Sequence, residues 1–219
     1  MIVITGASDG LGKEVAKVYK EAGQTVVNIS RRECEYATIN LLHDLRKDSE
    51  IEMAAKEIAK INEPLEVIVN CAAVMSIQSL GKVTEDEIRR VMSTNVEAAI
   101  LLVSNLIDRI EKDSTDIVNV ASTVGTKGYV EQAAYGASKW AMRGFSQNLQ
   151  AEFKDKKPRV ISFCVGGMRT QMGDKIGKKI TDPENWMDPQ AIAVFMKQIL
   201  ELPKNAEVSE IIINRKAIA

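Results

Sequence analysis

Ile2-Val3-Ile4-Thr5-Gly6-Ala7-Ser8-Asp9-Gly10-Leu11-Gly12 decides the fold. Its first four residues are all β-branched and read as a buried strand, Ile2 to Thr5, running straight into a glycine-rich turn. The glycines permit positive φ values and let backbone approach a ligand closely. A helix opening directly behind them offers unpaired N–H groups and the positive end of its dipole to an anion. Strand, turn and helix in that order is the form a dinucleotide pyrophosphate site takes, with Ser8, Asp9 and Leu11 flanking Gly6, Gly10 and Gly12. The spacing is G-x-x-x-G-x-G, which differs from the G-x-G-x-x-G of ordinary dinucleotide domains.

Outward from this turn, short β-branched runs alternate with longer helical patterns. The expected strands are Ile2 to Thr5, Thr25 to Ser30, Thr38 to His43, Val67 to Cys71, Asp116 to Ala121, Arg159 to Cys164 and Glu210 to Asn214. Helices are expected over Leu11 to Ala22, Ser49 to Ile61, Glu85 to Ile110, Tyr135 to Asp155 and Pro189 to Leu202. The pattern predicts an α/β fold: a Rossmann-like, doubly wound parallel sheet of about seven strands with helices on both faces, in a single domain over 1–219. Too few residues lie between Arg32 and Thr38 for a full crossover helix, so a loop or single turn is expected there. The mixed stretch 168–187 reads as a flap over a substrate.

Bulk composition removes several function classes. With 219 residues the chain suits one α/β domain with a substantial core. Lys plus Arg total 29 against 30 Asp plus Glu, so no bulk charge argues for nucleic acid or a membrane surface. No apolar run approaches the length of a membrane span, and the glycine motif starts too early for a signal peptide before it. The three cysteines are odd in number and widely spaced, which fits a reducing compartment and predicts a cytoplasmic protein. The one histidine, His43, sits near a strand end without a motif around it, so a Ser-His-Asp or Cys-His hydrolase is not expected. Clustered metal ligands are absent from the sequence, and no metal site is predicted.

A second motif supplies chemistry. Tyr135 is followed by Lys139 in Ala-Tyr-Gly-Ala-Ser-Lys-Trp-Ala, and positions i and i+4 of a helix share a face. A phenol near pKa 10 needs roughly 3 units of reduction, about 4 kcal/mol, to exchange protons readily near neutrality. The Lys139 cation, together with the positive charge of an oxidised nicotinamide, is the expected source. With the glycine turn, the pair implies a nicotinamide-dependent oxidoreductase. At the end of the second strand, where NAD binders usually place an acid against the ribose, the chain reads Ser30-Arg31-Arg32. A 2′-phosphate would meet a guanidinium there, which favours NADP over NAD, although nearby Glu33 leaves a ribose contact open.

With both motifs in view, the chain resembles the short-chain dehydrogenase/reductase (SDR) family over nearly its whole length. The family's glycine motif falls on Thr5, Gly6, Gly10 and Gly12, and its Asn-Asn-Ala-Gly motif on Asn70-Cys71-Ala72-Ala73. The resemblance implies a catalytic set of Asn95, Ser122, Tyr135 and Lys139. In it Tyr135 exchanges the proton, Ser122 holds the substrate oxygen, Lys139 also binds the nicotinamide ribose, and Asn95 holds a water. It also implies that Asp44, with Leu45, touches the adenine. Asn70, Ala72, Val165, Gly166 and Met168 would line the cofactor, and Thr170 would hold the carboxamide. The departures are Cys71 and Ala73 for an Asn and a Gly, Val165 for a Pro, the shortened second crossover, and a chain that stops soon after the last strand.

A small carbonyl or alcohol substrate with an apolar body is expected from Met75, Gly125, Tyr129, Met168, Met172 and Trp186. Met172 and Trp186 read equally well as ordinary packing, and Lys175, Lys178 and Lys179 read more simply as a solvated face than as an anion site. Similar proteins pair through the 85–110 and 135–155 helices, where Ala98, Ala99, Ala141 and Phe145 extend the apolar surface, so a homodimer is expected. Two other readings compete: a non-catalytic, dinucleotide-binding redox sensor, which has no need of a paired acid, and a methyltransferase, which gives Tyr135 and Lys139 no role.

Overall fold

The computed structural model describes residues 1–174 and 185–216. Seven strands form one parallel sheet in the order β3-β2-β1-β4-β5-β6-β7. They are β1 (Ile2–Thr5), β2 (Val26–Ser30), β3 (Ile39–Leu42), β4 (Val67–Asn70), β5 (Asp116–Val120), β6 (Val160–Val165) and β7 (Glu210–Ile213). The helices are α1 (Gly10–Glu21), α2 (Asp48–Ala59), α3 (Glu85–Met92), α4 (Ala98–Asn105), α5 (Ile107–Asp113), α6 (Ala133–Glu152), α7 (Gln171–Asp174) and α8 (Pro189–Leu200). All seven expected strands form, each end within a residue or two of its predicted place. Strand order reverses between β1 and β4, and a crevice for ligands opens at the carboxyl ends of the strands at such a switch point.

Alternation along the strands builds two cores, one on each face of the sheet. Val3, Val27, Ile29, Ile68 and Ile117 face Ile51, Ala54 and Ile58 of α2, Leu102 and Val103 of α4, and Leu149 of α6. Ile2, Ile4, Val69, Val118 and Phe163 face Leu11, Val15, Ala16 and Tyr19 of α1 and Ile192, Ala193, Met196 and Ile199 of α8. Central strands are buried on both sides, which is why they read as continuous apolar runs.

The connection between β2 and β3 is a loop, as its length predicts. Residues 31–38 lie where a crossover helix would cover the sheet, with Cys34 buried among the residues packed around α1. Asn40 Oδ1 accepts from Cys34 N at 2.9 Å and Asn28 Nδ2 at 2.8 Å; Lys13 of α1 pairs with Glu35 at 2.6 Å. A side-chain amide lattice thus replaces the missing helix.

The expected single helix over 85–110 is corrected: it is broken twice. Ser93–Glu97 forms a π turn between α3 and α4, and a second break at Leu106 bends the segment Glu85–Asn105 by 64° from α5. Leu106 is itself buried, and Asn105 Nδ2 bonds back to Leu101 O at 2.8 Å, competing with the helical ladder. Periodicity carries across both breaks, so the apolar pattern alone does not reveal them. Among the described residues no single helix is long and apolar enough to cross a membrane. His43 is a buried strand-end residue beside Glu57, with Nε2 to Oε1 at 3.1 Å, as its setting in the sequence suggests.

Candidate active site

Thr5 ends β1, and its hydroxyl oxygen accepts from the backbone N–H groups of Cys71 and Ala72, both at 3.0 Å. Gly6 has φ +73°, and a Cβ there would lie 2.8 Å from Cα of Ala72; a Cβ on Gly12 would lie 2.5 Å from the Gly6 carbonyl oxygen. Neither position admits a side chain, so bare backbone floors the turn at the N-terminus of α1. Thr170 stands over Gly10, and Asp9 caps α1 by accepting from Gly10 N at 2.7 Å. This cradle has the shape and polarity that a pyrophosphate requires.

At the far end of the crevice, the Ser30 hydroxyl donates to Arg32 O at 2.5 Å, and Arg32 pairs with Asp9 at 3.6 Å. Arg31 is exposed and forms no ion pair among the described residues, though its charge helps keep Asp44 ionised. Asp44 is held down to about 2, chiefly by the hydrogen-bonded Arg46 guanidinium, whose Nε lies 2.9 Å from Oδ1. Leu45 next to it is buried in the core.

Catalytic candidates converge from three elements. Ser122 follows β5 and caps the short 3-10 turn Thr123–Gly125, accepting from Val124 N at 3.2 Å. Tyr135 and Lys139 lie on the buried side of α6, and Lys139 Nζ is 5.8 Å from the phenol ring centre. Two glycines let the turn approach the helix: a Cβ on Gly125 would lie 2.7 Å from the Lys139 carbonyl oxygen, and one on Gly136 would be 3.4 Å from Val124 Cγ1. Cys71 ties this group to the cradle, since its thiol interacts electrostatically with both Tyr135 and Lys139 and takes the Gly12 N–H.

Ionisation in this site differs from the sequence expectation. Burial pushes Tyr135 up to about 12, while a hydrogen bond from the Ser122 hydroxyl pulls it down. Burial likewise lowers Lys139 to about 8, opposed by Cys71 and Cys164. Desolvation disfavours the charged form of both groups, and in the protein alone it outweighs their mutual attraction. Lys139 Nζ donates instead to Val120 O at 2.9 Å.

Asn95 lies in the π turn and is buried there. Its Oδ1 accepts from Val74 N at 2.7 Å, and its Nδ2 donates to Val74 O at 2.9 Å and Ser138 Oγ at 3.0 Å. Ser138 in turn donates to Tyr135 O at 2.7 Å. The amide is fully used as a clamp between the segment after β4 and α6. Ser138, missed by sequence reading, carries only a weak signal: a Ser three residues beyond Tyr135 that bonds back along its helix.

Asn70 is the buried last residue of β4 and donates to Asn119 Oδ1 at 2.8 Å, while Val165 ends β6 and Gly166 follows it. Met168 bridges to Met187, so the described ends of the 168–187 stretch are clipped together. Of the substrate-pocket candidates, Trp186 packs against Gly167 with Arg215 4.7 Å from its ring, Tyr129 is exposed under Lys127, and Met75 and Met172 are half-buried. Lys175, Lys178 and Lys179 lie outside the described residues. Ala98 and Ala99 are buried within the subunit; the large apolar residues exposed on those segments are Ile88, Ile100 and Trp140.

A sequence model for short chain dehydrogenases matches residues 1–181. The chain belongs to the short-chain dehydrogenase/reductase family of oxidoreductases, which sets the methyltransferase reading aside. It is 30% identical to "Carbonyl reductase family member 4" of Xenopus laevis, over 91% of this chain and 90% of that protein. An alcohol dehydrogenase from the archaeon Thermococcus sibiricus, complexed with 5-hydroxy-NADP, superposes with a TM-score of 0.85 at 21% identity, covering 97% of this chain and 95% of that one. A 4-hydroxyisoleucine dehydrogenase complexed with NADH and succinate does so with 0.83 at 22% identity, covering 98% of each. The last two show likeness of fold.

Proposed function

We propose that this protein is an NADP-preferring carbonyl reductase or alcohol dehydrogenase acting on a small molecule, with Ser122, Tyr135 and Lys139 as its catalytic groups. The observation that carries the reading is the grouping of Ser122 and Lys139 around Tyr135, with the Cys71 thiol, which also takes the N–H of Gly12 in the side-chain-free cradle, acting on both the phenol and the ammonium. In this reading Gly6, Ser8, Asp9, Gly10, Leu11 and Gly12 hold the pyrophosphate. Ser30, Arg31, Arg32, Asp44 and Leu45 surround the adenosine, and Asn70, Ala72, Val165, Gly166, Met168 and Thr170 line the nicotinamide end.

A bound nicotinamide supplies or accepts the hydride. In the reductive direction Tyr135 donates its proton to the carbonyl oxygen, and Ser122 hydrogen-bonds the same oxygen and orients it. The high pKa of Tyr135 in the protein alone keeps that proton in place until the substrate oxygen demands it. Lys139 holds positive charge beside the phenol, so Tyr135 is reprotonated after each turnover. Asn95 fixes the wall formed by Val74 and, through Ser138, the first turn of α6.

Arg31 supports NADP, because it presents, just after β2, a guanidinium with no ion pair among the described residues. Fluorescence titration should give tighter binding of NADPH than NADH, and Arg31→Ala should remove most of the difference, about tenfold for one charge-assisted contact. Equal affinities in the unaltered protein would overturn the preference.

A homodimer belongs to the same reading, formed through the outer faces of α4 and α6, where Ile100 and Trp140 are exposed. Light scattering should return twice the chain mass, and Trp140→Arg should shift it toward the monomer; a monomeric parent protein at micromolar concentration sinks this. Cytoplasmic location is supported by the free cysteines Cys34, Cys71 and Cys164.

A further inference from the structure

We propose that Arg143 and Glu210 are positioning residues for Ser122, locking the turn that carries its hydroxyl against α6 so that turnover depends on a carboxylate of the last strand. The proposal rests on the catalytic reading of Ser122 and Tyr135 given above.

Arg143 lies one helical turn beyond Lys139, on the same side of α6. Its Nη1 donates to the Gly125 carbonyl oxygen at 2.7 Å, while Nε and Nη2 reach the two carboxylate oxygens of Glu210 at 2.7 and 2.8 Å. A guanidinium is a rigid fork, so fixing two of its corners on one carboxylate fixes the direction of the third. Gly125 is therefore held in three ways. Its N–H closes the turn on Ser122 O at 2.8 Å, its Cα is pressed against the Lys139 backbone, and its carbonyl is held by Arg143. Ser122 lies three residues away at the start of that turn, with its main chain tied to the same glycine.

Glu210 is anchored as firmly as its partner. Its Oε1 also accepts from Ser162 Oγ at 3.1 Å and lies 3.8 Å from Cys164 Sγ, both on β6. The side chains of Arg143 and Glu210 are 16% and 29% exposed, so the pair is partly enclosed. Trp140 covers the guanidinium, with its ring centre 5.2 Å away. The carboxyl is held below its ordinary range, chiefly by the Arg143 hydrogen bonds, which keeps the fork charged on both sides. The Ser122 hydroxyl has to reach both the phenol of Tyr135 and a substrate oxygen, and a displacement of about 1 Å is enough to cost a large factor in rate.

The test uses the full chain and NADPH-dependent reduction of 9,10-phenanthrenequinone, with dinucleotide affinity read separately by fluorescence. Arg143→Gln and Glu210→Gln are each expected to lower kcat tenfold or more, at about one-tenth of the largest misplacement penalty, while KM for the quinone and Kd for NADPH stay unchanged. Arg143→Lys should recover little, because one ammonium cannot hold both the carbonyl and the two carboxylate oxygens. In a Ser122→Ala background, Arg143→Gln should cost less than about threefold, since the group it positions is gone. Normal kcat in the single variants overturns the proposal. So does a loss that remains fully additive with Ser122→Ala, or failure of both single variants to fold, which would mark the pair as purely structural. If the unaltered protein binds neither dinucleotide, or does not reduce the quinone while Tyr135→Phe behaves identically, the catalytic reading itself fails, and this proposal with it.

Discussion

Tyr135→Phe is expected to bind NADPH as the unaltered protein does and to lose about 10²- to 10⁴-fold in turnover, the range for a positioned general acid. The substitution removes one oxygen from a side chain that is only 5% exposed, so the ring still fills its place. What is lost is the hydroxyl that, in the proposed mechanism, hands a proton to the substrate oxygen held by Ser122. Lys139 remains beside the ring, with one of its three N–H groups on Val120 O, and in the proposed mechanism it serves the phenol and not the substrate oxygen. Measuring kcat beside the NADPH dissociation constant separates chemistry from cofactor binding. Turnover within tenfold of the parent would remove Tyr135 from the mechanism.

Asp116→Ala should have the largest effect on stability while leaving the site's chemistry intact. Asp116 opens β5, and Arg159, just before β6, reaches its Oδ1 with Nε at 3.1 Å and its Oδ2 with Nη2 at 2.7 Å; the side chains are 3% and 7% exposed. The same guanidinium donates to the carbonyls of Leu200, Leu202, Pro203 and Ala206, closing the end of α8, and Lys204 approaches Asp116 at 2.8 Å. Removing the carboxylate leaves a buried guanidinium without its counter-ion, a defect costing about 3–5 kcal/mol. For a chain of this size that is roughly 6–20 °C in Tm. The pair sits at the opposite end of the sheet from the crevice, so kcat at 25 °C should be preserved in the folded fraction. Denaturant unfolding that shows a loss below about 1 kcal/mol would contradict this account. The double variant Asp116→Leu/Arg159→Met should recover much of the loss, because an apolar pair has no charge to desolvate.

The sheet was legible in the sequence, and candidates for the crevice could be named from it, for a local reason. Each strand is a short apolar run, each covering helix repeats its buried positions every three or four residues, and the glycine turn and the Tyr135–Lys139 pair each lie within one or two turns of chain. The loop over 31–38 was legible for the same reason, because a length alone excludes a helix. The breaks at Ser93–Glu97 and Leu106 left no such trace, since the residues across them keep an apolar rhythm.

Element order, sheet class, the bare glycine cradle and the identity of the catalytic candidates were thus carried by neighbours along the chain. The direction in which Tyr135 and Lys139 shift, the full use of Asn95 as a clamp, and the partners of Arg143 and Asp116 came from the packed molecule. Arg143 and Glu210 are 67 residues apart, and Arg159 and Asp116 are 43 apart. No periodicity links such positions. The loss of water that sets the two pKa values exists only once helices and sheet have closed over the site.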